Sequence, residues 1–308
     1  MTARTAVRSE FLLGLVGLGV TPSLTPPMHM EEGRAQGLSI VSRPIDLAAL
    51  GLDAHALPEI LDWAERLGFD ALNVTHPCKR SVIPLLDRLD PVAADLGAVN
   101  TVLFTPEGRV GYNTDTSGFE RAFREGLPGV GMRGIVQFGA GGAGAAVADA
   151  LLRLGASDLV IVETEEARAS ELAADLATRH GRAVHAAGLD RVAGIFGAEG
   201  VRAPAGVVNC TPIGMAHHPG TPFDPALLRS EQWVADIVYR PLDTELLLSA
   251  RETGCRTLHG GRMAVGQAAD TFRLVTGRDP DPERMHQYFR SLINAEEAVP
   301  TPMTKESP

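Results

Sequence analysis

A glycine-rich turn between an apolar run and an alanine-rich stretch most strongly limits the folds open to this chain of 308 residues. The apolar run 134–138 predicts a strand, and residues 145–154 predict a helix. Glycines at this spacing permit a tight turn, close approach of a diphosphate, and close packing of the helix on the strand. The helix N-terminus would then face the phosphates. The sequence therefore predicts a dinucleotide-binding turn formed by Gly139, Gly141, Gly142, Ala143 and Gly144.

Acidic residues after the next predicted strand, 159–162, indicate which nucleotide this turn binds. Glu163 lies about twenty residues beyond the turn, where a carboxylate binds the ribose hydroxyls of adenosine. Glu165 and Glu166 add negative charge that would repel a 2′-phosphate, so we predict NAD rather than NADP. Arg168 argues against this prediction, because it could pair with the 2′-phosphate of NADP. It could also cover the adenine or pair with a neighbouring glutamate.

Strands and helices alternate along the rest of the chain, which predicts an α/β fold of two domains with mostly parallel sheets. The ends, 1–10 and about 296–308, are polar or rich in proline and are predicted to fray. Further predicted strands cover 11–20, 71–74, 101–104, 110–112, 206–208, 233–238 and 256–258, and further predicted helices cover part of 23–37 and 57–67, 81–87, 91–96, 118–125, 263–276 and 283–293.

Composition narrows the function classes and the cellular location. A net charge of −10 argues against binding to nucleic acid backbones, although it allows a nucleotide held by backbone amides. The three cysteines, Cys78, Cys210 and Cys255, are scattered, which is typical of reduced thiols in the cytoplasm. The apolar run 11–20 is too short to span a membrane and predicts a buried strand. We expect a cytoplasmic protein, monomeric or homodimeric, with no membrane or metal partner.

Lys79 and Asp115 are the candidate reactive pair. Each follows a predicted strand or hairpin, a position that suits site residues. Removing hydride from a secondary alcohol requires loss of the hydroxyl proton, which a desolvated lysine could accept. A neighbouring carboxylate favours the charged amine instead, so Lys79 could be a full proton shuttle or mainly a positioned donor. Short polar side chains that match a ring bearing several hydroxyl groups accompany the pair: Ser23, Thr25, Thr75, Asn100 and Gln267.

The chain resembles the shikimate/quinate dehydrogenase family over nearly its whole length. The segments that carry the resemblance are 23–26 (SLTP), 73–79 (NVTHPCK), 97–101 (GAVNT), 113–119 (NTDTSGF), 139–144, 209–215 (NCTPIGM), 236–241 (DIVYRP) and 263–267 (MAVGQ).

The resemblance implies an N-terminal substrate domain, a Rossmann-type domain that binds the nucleotide, and a C-terminal helix that returns to the first domain. It places the substrate domain at 1–118 plus 260–308 and the nucleotide domain at 119–259. It also implies Lys79 and Asp115 as the catalytic pair. Substrate contacts would come from Ser23, Thr25, Thr75, Lys79, Asn100, Asp115, Gln267 and Tyr239. The nicotinamide side would be formed by Thr211, Met215, Val238 and Gly260, and further contacts with the nucleotide would come from Asn209, Pro212 and Met263.

Two departures from the biosynthetic pattern resemble the NAD-dependent quinate/shikimate dehydrogenases. Thr25 stands where the second serine of a Ser-x-Ser motif is usual, and Glu163 stands within a segment that usually reads Asn-Arg-Thr. We expect reversible hydride transfer at C3 of quinate and of shikimate. The alternatives are an NADP-dependent shikimate dehydrogenase, an aminoshikimate-type dehydrogenase and, from another class, a catalytically silent NAD-binding sensor.

Overall fold

The computed structural model describes residues 8–197 and 203–297. Most of the polar ends predicted at 1–10 and 296–308 lies outside the described residues. Two six-stranded sheets follow one another along the chain, and helices pack against each of them. No helix within the described residues combines the length and apolar character that a membrane crossing requires.

The first sheet is mixed, with the strand order β2-β1-β3-β5-β6-β4. Its strands are β1 (Glu10–Gly17), β2 (Ser39–Asp46), β3 (Ala71–Val74), β4 (Arg88–Leu89), β5 (Thr101–Thr105) and β6 (Gly108–Tyr112). Strand β1 pairs in parallel with β2 and β3, whereas β5 and β6 form an antiparallel hairpin beside β3. This arrangement brings the ends of β3 and of the hairpin close together. Lys79 lies in the segment that follows β3, and Asp115 lies in the segment that follows the hairpin.

The second sheet is entirely parallel, with the strand order β12-β11-β10-β7-β8-β9. Its strands are β7 (Ile135–Phe138), β8 (Asp158–Val162), β9 (Ala183–Ala187), β10 (Gly206–Asn209), β11 (Trp233–Asp236) and β12 (Arg256–His259). Strands β7, β10 and β11 are buried along their whole length, as expected for parallel strands covered on both faces. The strand order reverses at β7, so the crevice where such sheets bind ligands lies at the carboxyl end of β7.

The helices cover these sheets with apolar faces. They are α1 (Thr25–Ala35), α2 (Leu47–Leu50), α3 (Leu57–Arg66), α4 (Cys78–Ser81), α5 (Pro91–Leu96), α6 (Asp115–Gly126), α7 (Gly142–Arg153), α8 (Glu166–His180), α9 (Val192–Gly197), α10 (Glu245–Thr253), α11 (Gly261–Thr276) and α12 (Pro282–Glu297). Helices α6 and α11 approach closely because Gly118 and Gly266 face each other, and a Cβ at Gly118 would lie 2.7 Å from the backbone nitrogen of Gln267. This contact brings Gln267 over the polar site.

The predicted α/β class and two-part organisation are confirmed, whereas some local predictions are wrong. The helix predicted over 81–87 is replaced by α4 and a 3-10 turn at Ile83–Leu85, since Pro84 cannot donate within a longer helix. Helix α6 begins at Asp115 rather than at Gly118 and continues through the predicted domain boundary. The division at 118 and 260 stays a prediction.

Candidate active site

The glycine turn after β7 is rigid and open on one side. Gly139 has φ +98°, and Gly144 packs so closely against the Gly139 carbonyl that a side chain would not fit. The buried amide of Gln137 donates to the carbonyl oxygens of Gly139 and Gly144, each at 2.9 Å. Among the described residues, a Cβ at Gly141 would meet open space and no side chain caps α7. The first N–H groups of α7 therefore form a site for an anion such as a diphosphate.

Glu163 is fixed against this turn. Its carboxylate accepts hydrogen bonds from the Ala140 backbone N–H at 2.9 Å and from the N–H and hydroxyl of Thr164, each at 2.9 Å. Burial alone would raise the pKa of Glu163, but these hydrogen bonds and the positive charge of Arg168 outweigh it and lower the pKa. A negative charge thus lies at the turn, where a nucleotide ribose would lie.

One cavity of about 850 Å³ joins the glycine turn to the candidate reactive lysine. Gly141, Gly142 and Ala143 line one side, and Thr75 and Lys79 line the other. A Cβ at Gly142 would lie 3.6 Å from Cδ of Lys79, so the turn and the lysine face each other directly. Arg168 and Pro212 also line this cavity, and their predicted contacts with a nucleotide stay predictions.

Lys79 and Asp115 form an ion pair at the floor of the site. Lys79 Nζ lies 2.5 Å from Asp115 Oδ2, and the side chains are 17% and 9% exposed. Lys79 is carried by α4, directly after β3, while Asp115 is the first residue of α6 and its N–H donates to Asn113 Oδ1 at 3.0 Å. A carboxylate in the first turn of a helix is favoured by the helix dipole.

Asn100 holds the other oxygen of Asp115. Its amide nitrogen donates to Asp115 Oδ1 at 3.0 Å and to the Thr114 hydroxyl at 2.9 Å. Its carbonyl oxygen accepts the Thr114 backbone N–H at 2.9 Å. With Asn100 on one oxygen and Lys79 on the other, the carboxylate of Asp115 is fixed in one orientation.

The substrate-side residues predicted from the sequence continue this network. Thr114 donates to the backbone carbonyl of Gln267 at 3.2 Å, and the Gln267 amide donates to the Thr25 hydroxyl at 3.3 Å. The backbone N–H of Thr25 in turn donates to the Ser23 hydroxyl at 3.3 Å. Residues from four separate segments thus form one polar wall that ends at the Lys79–Asp115 pair.

Sequence reasoning missed the layer of buried polar residues behind this wall. Asn73 donates to the hydroxyls of Thr101 and Thr271 at 3.2 and 3.3 Å, and Thr101 also donates to Asn100 at 3.1 Å. The sequence could have indicated Thr271, since it lies four residues after Gln267 and therefore on the same face of α11. These contacts fix the orientation of Asn100.

The loop after β10 is shaped by Asn209. This residue is fully buried, and its carbonyl oxygen accepts from the N–H and hydroxyl of Thr211 at 3.0 and 2.7 Å. Its amide donates to the Ile213 carbonyl at 2.9 Å and to Asp236 at 3.0 Å. All its side-chain groups are therefore engaged within the protein, and its predicted contact with the nucleotide stays a prediction. Asn209 positions the loop.

The remaining predicted residues differ in exposure. Met215 is 40% exposed, whereas Val238 and Met263 are buried. Gly260 lies so close to the Ile237 and Val238 carbonyls that it has no room for a side chain. Tyr239 packs on Phe289 with ring centroids 5.9 Å apart, and burial raises the pKa of its phenol. Val238, Met263 and Tyr239 therefore pack within the protein, and their predicted contacts with the nucleotide or the acid stay predictions.

Comparison with known proteins identifies relatives of this chain in sequence and in structure. The sequence model described as the shikimate dehydrogenase substrate binding domain matches residues 15–102. A "Shikimate dehydrogenase (NADP(+))" of Pseudarthrobacter chlorophenolicus is 52% identical, with 94% of this chain and 98% of the relative covered. A "Quinate/shikimate dehydrogenase (NAD(+))" of Corynebacterium efficiens is 49% identical, with 92% and 99% covered. The solved quinate dehydrogenase from Corynebacterium glutamicum in complex with NAD superposes with a TM-score of 0.85 at 47% identity, covering 92% of this chain and 99% of that one.

Proposed function

Because the chain belongs to the shikimate dehydrogenase family, we propose that it is an NAD-dependent quinate/shikimate dehydrogenase. It is an oxidoreductase that uses a nicotinamide dinucleotide and a small polyhydroxylated acid. The observation that carries the proposal is the single cavity in which Lys79 faces the glycine turn. Cytoplasmic location and a monomeric or homodimeric state stay predictions.

In the proposed reaction a bound nicotinamide exchanges hydride with C3 of quinate or shikimate. Lys79 Nζ donates a proton to the C3 oxygen during reduction and accepts it during oxidation. Asp115 holds the lysine through its contact of 2.5 Å and is itself oriented by Asn100. Thr25, Ser23 and Gln267 offer hydrogen bonds to the carboxylate and hydroxyl groups of the acid, and the half-buried cleft limits access of water.

The preference for NAD rests on the charged Glu163 carboxylate at the glycine turn. The ribose hydroxyls of NAD can donate to it, whereas the 2′-phosphate of NADP would meet a negative charge. An NADP-dependent shikimate dehydrogenase is the second candidate, because Arg168 lines the same cavity and the relative at 52% identity carries that name.

The experiment that tests the reaction itself supplies NAD and NADP together, so that only the acid varies. Initial rates are measured with quinate, with shikimate and with an amino analogue of each that keeps the C3 hydroxyl, and the products are identified by mass spectrometry. Turnover of both quinate and shikimate is the expected result. Turnover of shikimate alone would favour the second candidate. Nucleotide binding without turnover of any acid would indicate the catalytically silent NAD-binding sensor instead.

A further inference from the structure

Arg240 connects the segment after β11 with two other parts of the chain, the loop at Pro22 and helix α12. It follows β11 and Tyr239 in the predicted nucleotide domain. Its Nη1 donates to the backbone carbonyl of Pro22 at 2.5 Å, and its Nη2 pairs with Glu296 of α12 at 2.5 Å. The Arg240 side chain is three-quarters buried, and its Nε–H has no hydrogen-bond partner among the described residues. The contacts of Arg240 with Pro22 and Glu296 are therefore both made by its two terminal nitrogens.

The Pro22 carbonyl lies at the start of the substrate-side loop. Ser23 and Thr25 follow directly, and Thr25 is held on its other side by the amide of Gln267 at 3.3 Å. Leu24, between them, is buried in an apolar cluster with Phe289 of α12, against which Tyr239 also packs. Arg240 thus fixes the loop from the nucleotide side, while Gln267 fixes it from α11.

The same segment also reaches the loop after β10. Asp236, four residues before Arg240, accepts hydrogen bonds from Asn209 at 3.0 Å and from the Val238 N–H at 3.0 Å. Asn209 in turn shapes the Thr211 loop beside the cleft. A short stretch of chain therefore connects the loop predicted to contact nicotinamide with the loop predicted to contact the acid.

We propose that Arg240 is a positioning residue that fixes the Ser23–Thr25 loop to the nucleotide domain, so that binding of the acid depends on this contact. The proposal rests on the proposed function for the identity of the acid. It requires the guanidinium itself, because a planar fork reaches two acceptors at once and an ammonium group reaches one. Arg240 does not touch the reacting atoms, so the chemical step is expected to change little.

The test compares four variants with the wild type, using the acid and nucleotide that the wild type turns over fastest. Arg240→Met should raise KM for the acid about tenfold and change kcat and the Kd of the nucleotide less than about threefold. Arg240→Lys should give a smaller increase in KM. Glu296→Gln keeps an acceptor and the Pro22 contact, so its KM should stay within about twofold of the wild type.

Arg251→Met is the matched control. Arg251 pairs with Asp243 at 2.6 Å in the same segment and has no hydrogen bond or ion pair to the substrate-side loop among the described residues. Equal increases in KM for Arg240→Met and Arg251→Met, or no increase for either, would overturn the proposal. If Arg240→Met melts far below the wild type, Arg240→Lys decides: KM equal to that of the wild type would overturn the proposal. A wild type inactive with every acid would instead refute the proposed function.

Discussion

The carboxylate of Glu163 accepts a hydrogen bond of 2.9 Å from the backbone N–H of Ala140, inside the glycine turn. The residue that we propose selects the nucleotide is thereby fixed to the backbone of the glycine turn. Because Thr164 donates to the other carboxylate oxygen, the side chain cannot swing away from a 2′-phosphate without losing hydrogen bonds. The proposed preference for NAD therefore rests on both the charge of Glu163 and its position.

Removing the charge of Glu163 should weaken this discrimination. For Glu163→Gln we expect the ratio of kcat/KM for NADP to that for NAD to rise about tenfold, equivalent to about 1.4 kcal/mol. Steady-state kinetics with both nucleotides measure the ratio. Glu165→Gln is the control, because it removes the same charge from an exposed residue that does not bond to the turn, and the ratio should change less than about threefold. Equal effects of the two variants would show that only the overall charge matters.

Lys79→Met should lower kcat about a thousandfold, because general acid–base groups typically contribute factors of about 10² to 10⁴. The Kd for NAD should change little, since the glycine turn supplies the backbone donors. Lys79→Arg keeps a positive charge beside Asp115 but cannot readily exchange a proton, so it should recover little of the lost rate. A Lys79→Arg variant with more than a tenth of the wild-type kcat would show that the charge alone is sufficient.

Thr25→Ser should shift the preference from quinate towards shikimate. The methyl group of Thr25 can shape the pocket around the additional C1 hydroxyl of quinate, and one such group alters discrimination by factors of about 10 or more. The quinate-to-shikimate ratio of kcat/KM is therefore expected to fall about tenfold. Thr21→Ser is the control, because Thr21 lies in the same loop and its hydroxyl donates to Asp46 at 2.6 Å. An unchanged ratio in Thr25→Ser would contradict this role.

Asp236 should make the folded state less stable as the pH rises. Burial raises its pKa from 3.8 to about 6, against the hydrogen bonds from Val238, Thr244 and Asn209 that lower it. The folded protein therefore holds this proton more tightly than the unfolded chain does. The contribution of Asp236 is fully present below pH 3.8 and is lost as the pH rises through about 6.

The comparison that isolates this effect is Asp236→Asn against the wild type in urea unfolding without nucleotide. The free energy of unfolding of the variant minus that of the wild type should rise by about 2 kcal/mol between pH 4 and pH 7. Other titrating groups cancel in the difference, since both proteins contain them. A difference independent of pH would mean that Asp236 titrates at its ordinary pKa in the folded protein.

The parts of the fold that sequence predicted are those with local, repeated signals. The glycine turn, the apolar strand β7 before it and the helix α11 each show their pattern within about twenty residues. Strand β2 was not predicted, because it is half exposed and contains Pro44, and its pairing with β1 joins segments about thirty residues apart. Its pattern therefore resembles that of a loop.

The candidate site was predicted to a similar extent and with similar gaps. Lys79 and Asp115 stand in recognisable segments, and the structure brings them together at 2.5 Å. The start of α6 at Asp115 coincides with a hydrogen bond from the Asp115 N–H to Asn113 Oδ1, which the apolar spacing does not reveal. The contact of Arg240 with Pro22 joins residues more than two hundred positions apart, so only the folded chain shows it.

The most direct test of the central claim is kcat/KM for NAD and for NADP, measured with the wild-type protein at a saturating concentration of quinate. We predict that kcat/KM with NAD exceeds that with NADP about a hundredfold, because the ribose hydroxyls bond to Glu163 and the 2′-phosphate is repelled by it. Equal values, or a higher value with NADP, would contradict it. Glu163 would then not exclude the 2′-phosphate, and Arg168 would be the residue that determines the nucleotide.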